Sequence, residues 1–156
     1  MTTLKFDLPN PHLLAIAVDA KDIDSYSHVN NAVYVTWCDR VAWDHSATLN
    51  LPIDYCLKLD RGMAVIRTVI TYLRPALRDD ALSIATWLLP AASRLCVRRR
   101  FQIVRPADGA TLARAEIEYA CIELSSGRPA RWPPEFREHY ASLPQVVAAF
   151  ADLPAL

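Results

Sequence analysis

Charge of one sign is what this sequence most plainly lacks: 17 basic residues stand against 17 acidic ones in 156, a formal net charge of zero. A balanced chain builds no strong field, so neither nucleic acid nor a membrane surface is an expected partner. The four cysteines, Cys38, Cys56, Cys96 and Cys121, include no C-x-x-C pair. That argues against a zinc site and a dense disulfide framework, and fits small core residues in a reducing compartment. Long apolar runs are missing too: no stretch approaches the roughly 18 residues of a spanning helix. Residues 1–14 lack the basic segment and apolar core of an export signal. The expectation is a cytoplasmic protein. Repeats and low-complexity linkers are likewise absent, and the length suits one domain over residues 1–156.

What is present is a hydrophobic period that changes along the chain. Residues 12–18 alternate as a short strand, and 19–27 form a polar loop. From 31 to 49 the spacing predicts a helix: Val33, Tyr34, Trp37, Val41, His45 and Thr48 recur every three or four residues as one stripe, with Ser27 or Asn30 as its cap. Residues 54–62 read as a connector. Four runs rich in strand-forming residues follow, at 63–73, 82–89, 95–104 and 111–124. Their separators are turn-like, and Pro106-Ala107-Asp108-Gly109 is a strong hairpin signal. A short helix from 134 to about 149 ends the pattern. One strand, one long helix and a run of antiparallel strands define an α+β arrangement with the sheet around the helix.

The chemistry concentrates in Asp22-Ile23-Asp24-Ser25-Tyr26-Ser27-His28-Val29-Asn30-Asn31-Ala32-Val33-Tyr34, where the loop runs into the helix. Unsatisfied backbone N–H groups at a helix start carry partial positive charge. A thioester carbonyl placed on them is polarised, and the oxyanion of its tetrahedral intermediate is stabilised. A neighbouring carboxylate then attacks the carbonyl or takes a proton from water. The plainer alternative is that Asp and Asn merely cap the helix and that the histidine is structural.

The same string resembles the D-x-D-x-x-x-H-V-N-N-x-x-Y signature of the 4-hydroxybenzoyl-CoA thioesterase family, and His28 to Trp37 is similar to the H-V-N-N-x-x-Y-x-x-W of plant acyl-ACP thioesterases. Glu123 to Pro129 resembles that family's late acidic-x-x-x-Gly-Arg-Pro segment. The resemblance implies a hotdog fold, a five-stranded antiparallel sheet wrapped around one long helix, and hydrolysis of an acyl-CoA or acyl-ACP thioester. It implies Asp24 as nucleophile or general base, Asn31 as the main-chain oxyanion donor with Asn30 beside it, and His28 positioning the thioester or water. Asp22 matches the signature's first acid and reads as a loop-fixing acceptor. Asp39 stands where many relatives carry Glu, facing the site across a dimer or facing solvent. The resemblance also implies a homodimer or homotetramer with sites at the subunit interface, no metal and no cofactor beyond the coenzyme A of the substrate. The chain departs from the pattern at Ser27, where many relatives have Gly, and at Ala42, where many have Arg. Two rivals share these features: a hotdog acyl-CoA hydratase or dehydratase, and a non-catalytic acyl-thioester binding protein.

Arg94, Arg98, Arg99, Arg100 and Arg105 crowd one predicted strand, where Arg98 and Arg100 share a face and Arg99 takes the other. They form an ion-pair ladder or solvated edge, or some of them, Arg98 and Arg100 first, bind CoA phosphates. Arg128 and Arg131, beside a turn, are rivals for that role. Tyr34, Trp37, Val41, Met63 and Val65 are candidate walls for the acyl group, and core packing explains them equally well.

Overall fold

The computed structural model describes residues 4–91, 93 and 95–156; Arg94 lies outside them. Five strands, β1 (His12–Ala17), β2 (Arg61–Tyr72), β3 (Ala81–Leu89), β4 (Cys96–Arg105) and β5 (Ala110–Glu123), pair antiparallel in the order β1-β3-β4-β5-β2. The long helix α1 (Asn31–Thr48) lies across the inner face. This is the expected hotdog arrangement. A 3-10 turn (Ala20–Asp22) and three short helices, α2 (Ile53–Lys58), α3 (Pro134–His139) and α4 (Pro144–Phe150), complete the order.

The main core forms between α1 and alternate residues of the sheet. Tyr34, Trp37, Cys38 and Val41 from the helix meet Leu82, Ile84, Phe101, Ile103, Ala115 and Ile117. Burial pushes the Cys38 thiol up to about 12, so it stays protonated as a packing group. The expected stripe is correct at Tyr34, Trp37 and Val41, but Thr48 is exposed and Ser46 takes the buried place. A reading of apolar period passes over Ser46; its hydroxyl is buried because Arg99 and Tyr140 bond to it.

The outer face of β3 and β4 has a second, smaller core. Phe6 and Leu8 of the N-terminal arm and Val146 and Phe150 of α4 pack on Ala85, Trp87 and Leu89. That cover explains why β3 is apolar almost without alternation. The expected terminal helix is two helices. The residue before Pro144 is forced out of helical geometry, and Leu143 sits at φ −65°, ψ 142°. The expected connector at 54–62 contains α2, too short for its period to register.

The edge of β2 away from β5 is unpaired, with Val65 and Ile66 more than half exposed. A bulge between Val65 and Arg67 interrupts its register with β5. Among the described residues no helix is long and apolar enough to cross a membrane.

Candidate active site

The loop before α1 folds as a miniature hairpin. Ile23 and Val29 form an antiparallel bridge, Asp24 N–H donates to the His28 carbonyl (2.8 Å), and Ser27 N–H donates to the Asp24 carbonyl (3.0 Å). Closing so tight a loop requires Ser27 at φ +62°. The resemblance implies glycine at this position, and the left-handed conformation costs a side-chain-bearing residue roughly 1–2 kcal/mol. Two outside bonds hold the loop: Asn30 N–H to the Asp22 carbonyl (2.8 Å) and Val29 N–H to the Ala76 carbonyl (3.0 Å). Asp22 itself accepts from Asp19 N–H through Oδ2 (3.0 Å), fixing the 3-10 turn.

Asn30, not Ser27, caps α1. Its side-chain oxygen accepts from Ala32 N–H (2.9 Å), and its carbonyl accepts from Val33 N–H (2.9 Å). The Asn31 N–H between them has no partner among the described residues and stands at the positive end of an 18-residue helix. Asp24 Oδ1 accepts from Tyr26 N–H (2.8 Å), while Oδ2 has no partner among the described residues. Asp24, Tyr26, His28, Asn31 and Tyr34 line one cleft of about 340 Å³ with Tyr72, Leu73, Arg74 and Pro75.

Tyr34 forms the cleft's floor and ties it to the core. Its buried hydroxyl accepts from Ala76 N–H (2.8 Å), and Tyr72 packs edge-on against its ring while donating to the Asn31 carbonyl (2.9 Å). Sequence reasoning missed Tyr72 and Arg74. The first looked like one more strand aromatic and the second like part of a turn; only the pairing of β2 with β5 carries them to the helix start.

Other expected site residues lie elsewhere. Trp37 is buried in the core. Asp39 is exposed to solvent at the rim of a separate small cavity beside the middle of α1. Of the two expectations for Arg98 and Arg100, an ion-pair ladder or a phosphate contact, the structure supports the ion pair for Arg100 and corrects the phosphate role there. Arg100 is 1% exposed on the outer face and bonded to Glu116 (2.7 Å), with Asp7 at 3.6 Å. Arg98 on the same face donates to the Pro90 carbonyl (3.3 Å) and sits over the Phe150 ring. Arg128 is exposed in the turn after β5, beside the start of β2, whereas the cleft lies at the end of β2.

A family model described as thioesterase-like superfamily matches residues 18–140, from the end of β1 through the cleft loop to α3. The chain belongs to the thioesterase-like superfamily. A long-chain acyl-CoA thioesterase of Escherichia coli, FadM, is 27% identical over 79% of this chain and 92% of its own length. Two solved structures are similar in fold. A 1,4-dihydroxy-2-naphthoyl-CoA thioesterase from Synechocystis superposes with a TM-score of 0.74 at 18% identity over 94% of this chain and all of that one. A DHNA-CoA thioesterase from Staphylococcus aureus gives 0.76 at 19% identity over 83% and 88%. Thioester hydrolysis, the reaction class expected from the signature, is the one this superfamily carries in its description.

Proposed function

We propose that the chain hydrolyses an acyl-CoA thioester at the cleft before α1. The observation that carries the reading is the pairing, in one cleft, of an unbonded Asn31 N–H with the free oxygen of Asp24. The thioester carbonyl oxygen accepts from Asn31 N–H, where the helix dipole and the fixed donor stabilise the charge that develops in the transition state. Asp24 Oδ2 then attacks the carbonyl carbon and expels the thiolate, leaving an acyl anhydride that water opens; alternatively it takes a proton from a water that attacks directly. Both routes release one carboxylic acid and one thiol. His28, exposed on the cleft wall with no side-chain bond among the described residues, orients the thioester or the water.

Support for the carrier comes from the 27% identical relative, a long-chain acyl-CoA thioesterase. An acyl carrier protein remains the second carrier to test. Arg74, the arginine lining the cleft, is a candidate contact for a CoA phosphate. Arg128 reaches a cleft only from a second copy. Antiparallel pairing of two exposed β2 edges lays the start of one strand beside the end of the other, and a homodimer of that kind completes the site. No metal or redox group enters this mechanism.

The test is release of free thiol from short, long and aromatic acyl-CoAs, with enoyl-CoA alongside. Hydrolysis of at least one class is expected. Loss of enoyl absorbance without thiol would move the chain to the hydratase reading. No thiol from any CoA or carrier-protein substrate, despite binding, would make it a thioester-binding protein.

A further inference from the structure

The inner face of β4 presents Val97, Arg99, Phe101 and Ile103 towards α1, a single arginine among apolar neighbours. Arg99 is 2% exposed. Its Nη1 donates to His45 Nδ1 (2.8 Å), its Nη2 donates to Ser46 Oγ (3.0 Å), and the guanidinium carbon lies 5.7 Å from the centre of the Tyr140 ring. All three partners are neutral. His45 accepts through an unprotonated nitrogen, and burial together with the Arg99 charge pushes its pKa down to about 3. Arg99 forms no ion pair with any carboxylate among the described residues. A buried charge with no counter-charge is costly, because neutral dipoles only partly replace water.

An unsatisfied hydroxyl lies nearby. Tyr119, on β5 opposite Val97, buries its hydroxyl with no partner among the described residues. Arg99 and Tyr119 line the same cavity of about 50 Å³, whose apolar walls include Ala42, Met63, Val65 and Val97. That volume admits a few atoms of a polar group and is more than one water needs. Asp39, exposed to solvent, borders the cavity at its rim. Along α1, Asp39 stands eight residues from Asn31, about 12 Å at the helical rise.

Resting on the thioester reading above, we propose that this cavity binds a carboxylate at the far end of the acyl group, so that ω-carboxyacyl thioesters are the preferred substrate class. The carboxylate accepts from the Arg99 donors not used by His45 and Ser46 and from the Tyr119 hydroxyl. It supplies the missing counter-charge and the missing acceptor together.

The experiment compares ω-carboxyacyl-CoA with methyl-terminated acyl-CoA of equal length, from six to twelve carbons. It uses the full-length wild type, Arg99→Met and Tyr119→Phe. The wild type is expected to favour the carboxyl-terminated member in kcat/KM by at least about tenfold at one length. That ratio collapses towards one in Arg99→Met and falls several-fold in Tyr119→Phe, which removes only one oxygen and folds even if the arginine variant does not. A ratio near or below one at every length overturns the proposal, as does a ratio unchanged in both variants. Calorimetric Kd values for the same pairs separate this claim from hydrolysis. If nothing is turned over, the hydrolytic reading falls, and a tenfold tighter carboxyl-terminated member still supports the cavity. Equal Kd values mean that water or another group fills it, and overturn the proposal.

Discussion

The two ends of α1 are furnished with similar polar groups and use them in opposite ways. At the start, Asp24, His28 and the Asn31 N–H keep bonding capacity unspent in an open cleft. At the far end, His45, Ser46, Arg99 and Tyr140 bond to one another inside the layer, and His12 stacks on His45 at 4.6 Å while holding Asp44. A buried polar group left unpaired costs about 1–3 kcal/mol. The enclosed end therefore had to satisfy its own groups, Arg99's charge and the nearby Tyr119 hydroxyl excepted. The open end leaves its groups to water, and in the proposed reaction a substrate replaces it. On the proposed mechanism, spare capacity under exposure serves chemistry, while consumed capacity under burial serves architecture.

The largest stability effect is expected at the enclosed end. Arg99→Ala strips donors from His45 and Ser46 and opens a cavity, and is expected to cost about 2–4 kcal/mol in urea denaturation. Arg99→Met fills the space and is expected to cost clearly less, since an apolar isostere of a buried charge is often tolerated. Equal losses would mean that the guanidinium bonds, not the volume, hold that end together.

The next effect is acid sensitivity. His45 stays neutral in the fold down to about pH 3, while in the unfolded chain it takes up a proton near its ordinary 6.5. Between those values the unfolded state binds more protons, so stability rises with pH and falls on acidification through that window. His45→Gln, whose carbonyl still accepts from Arg99, is expected to flatten the decline of Tm between pH 6.5 and 4. An unchanged decline would assign it to other groups.

The smallest effect belongs to the open end. Asn30→Ala removes one cap bond, to Ala32 N–H, and is expected to cost about 1 kcal/mol by chemical denaturation. A loss as large as that of Arg99→Ala would erase the contrast between the two ends.

Much of this architecture was legible in the sequence. The five strands and α1 follow from period and turn residues, and the hotdog arrangement and the loop segment from the signature. Asp24, His28, Asn31 and Tyr34 do share a cleft. Illegible parts have physical reasons. Ser46 and Arg99 are polar at buried positions, so no hydrophobic pattern announces them. Arg100 looks like a free cation until the N-terminal arm brings Asp7 to it across the sheet. Tyr72 and Arg74 join the cleft through pairing partners some 40 residues away in sequence, Tyr72 with Ala113, which local spacing does not encode.

The central claim is that the free carboxylate oxygen at the helix start does the chemistry. It is tested most directly by thiol-release rates of Asp24→Asn and Asp22→Asn measured beside the wild type, with substrate Kd for each. Asp24→Asn is expected to lose at least about 100-fold in kcat while still binding substrate, and Asp22→Asn, which only loosens the loop, to lose less. An Asp24→Asn enzyme turning over at the wild-type rate, or a larger loss in Asp22→Asn, would contradict the account.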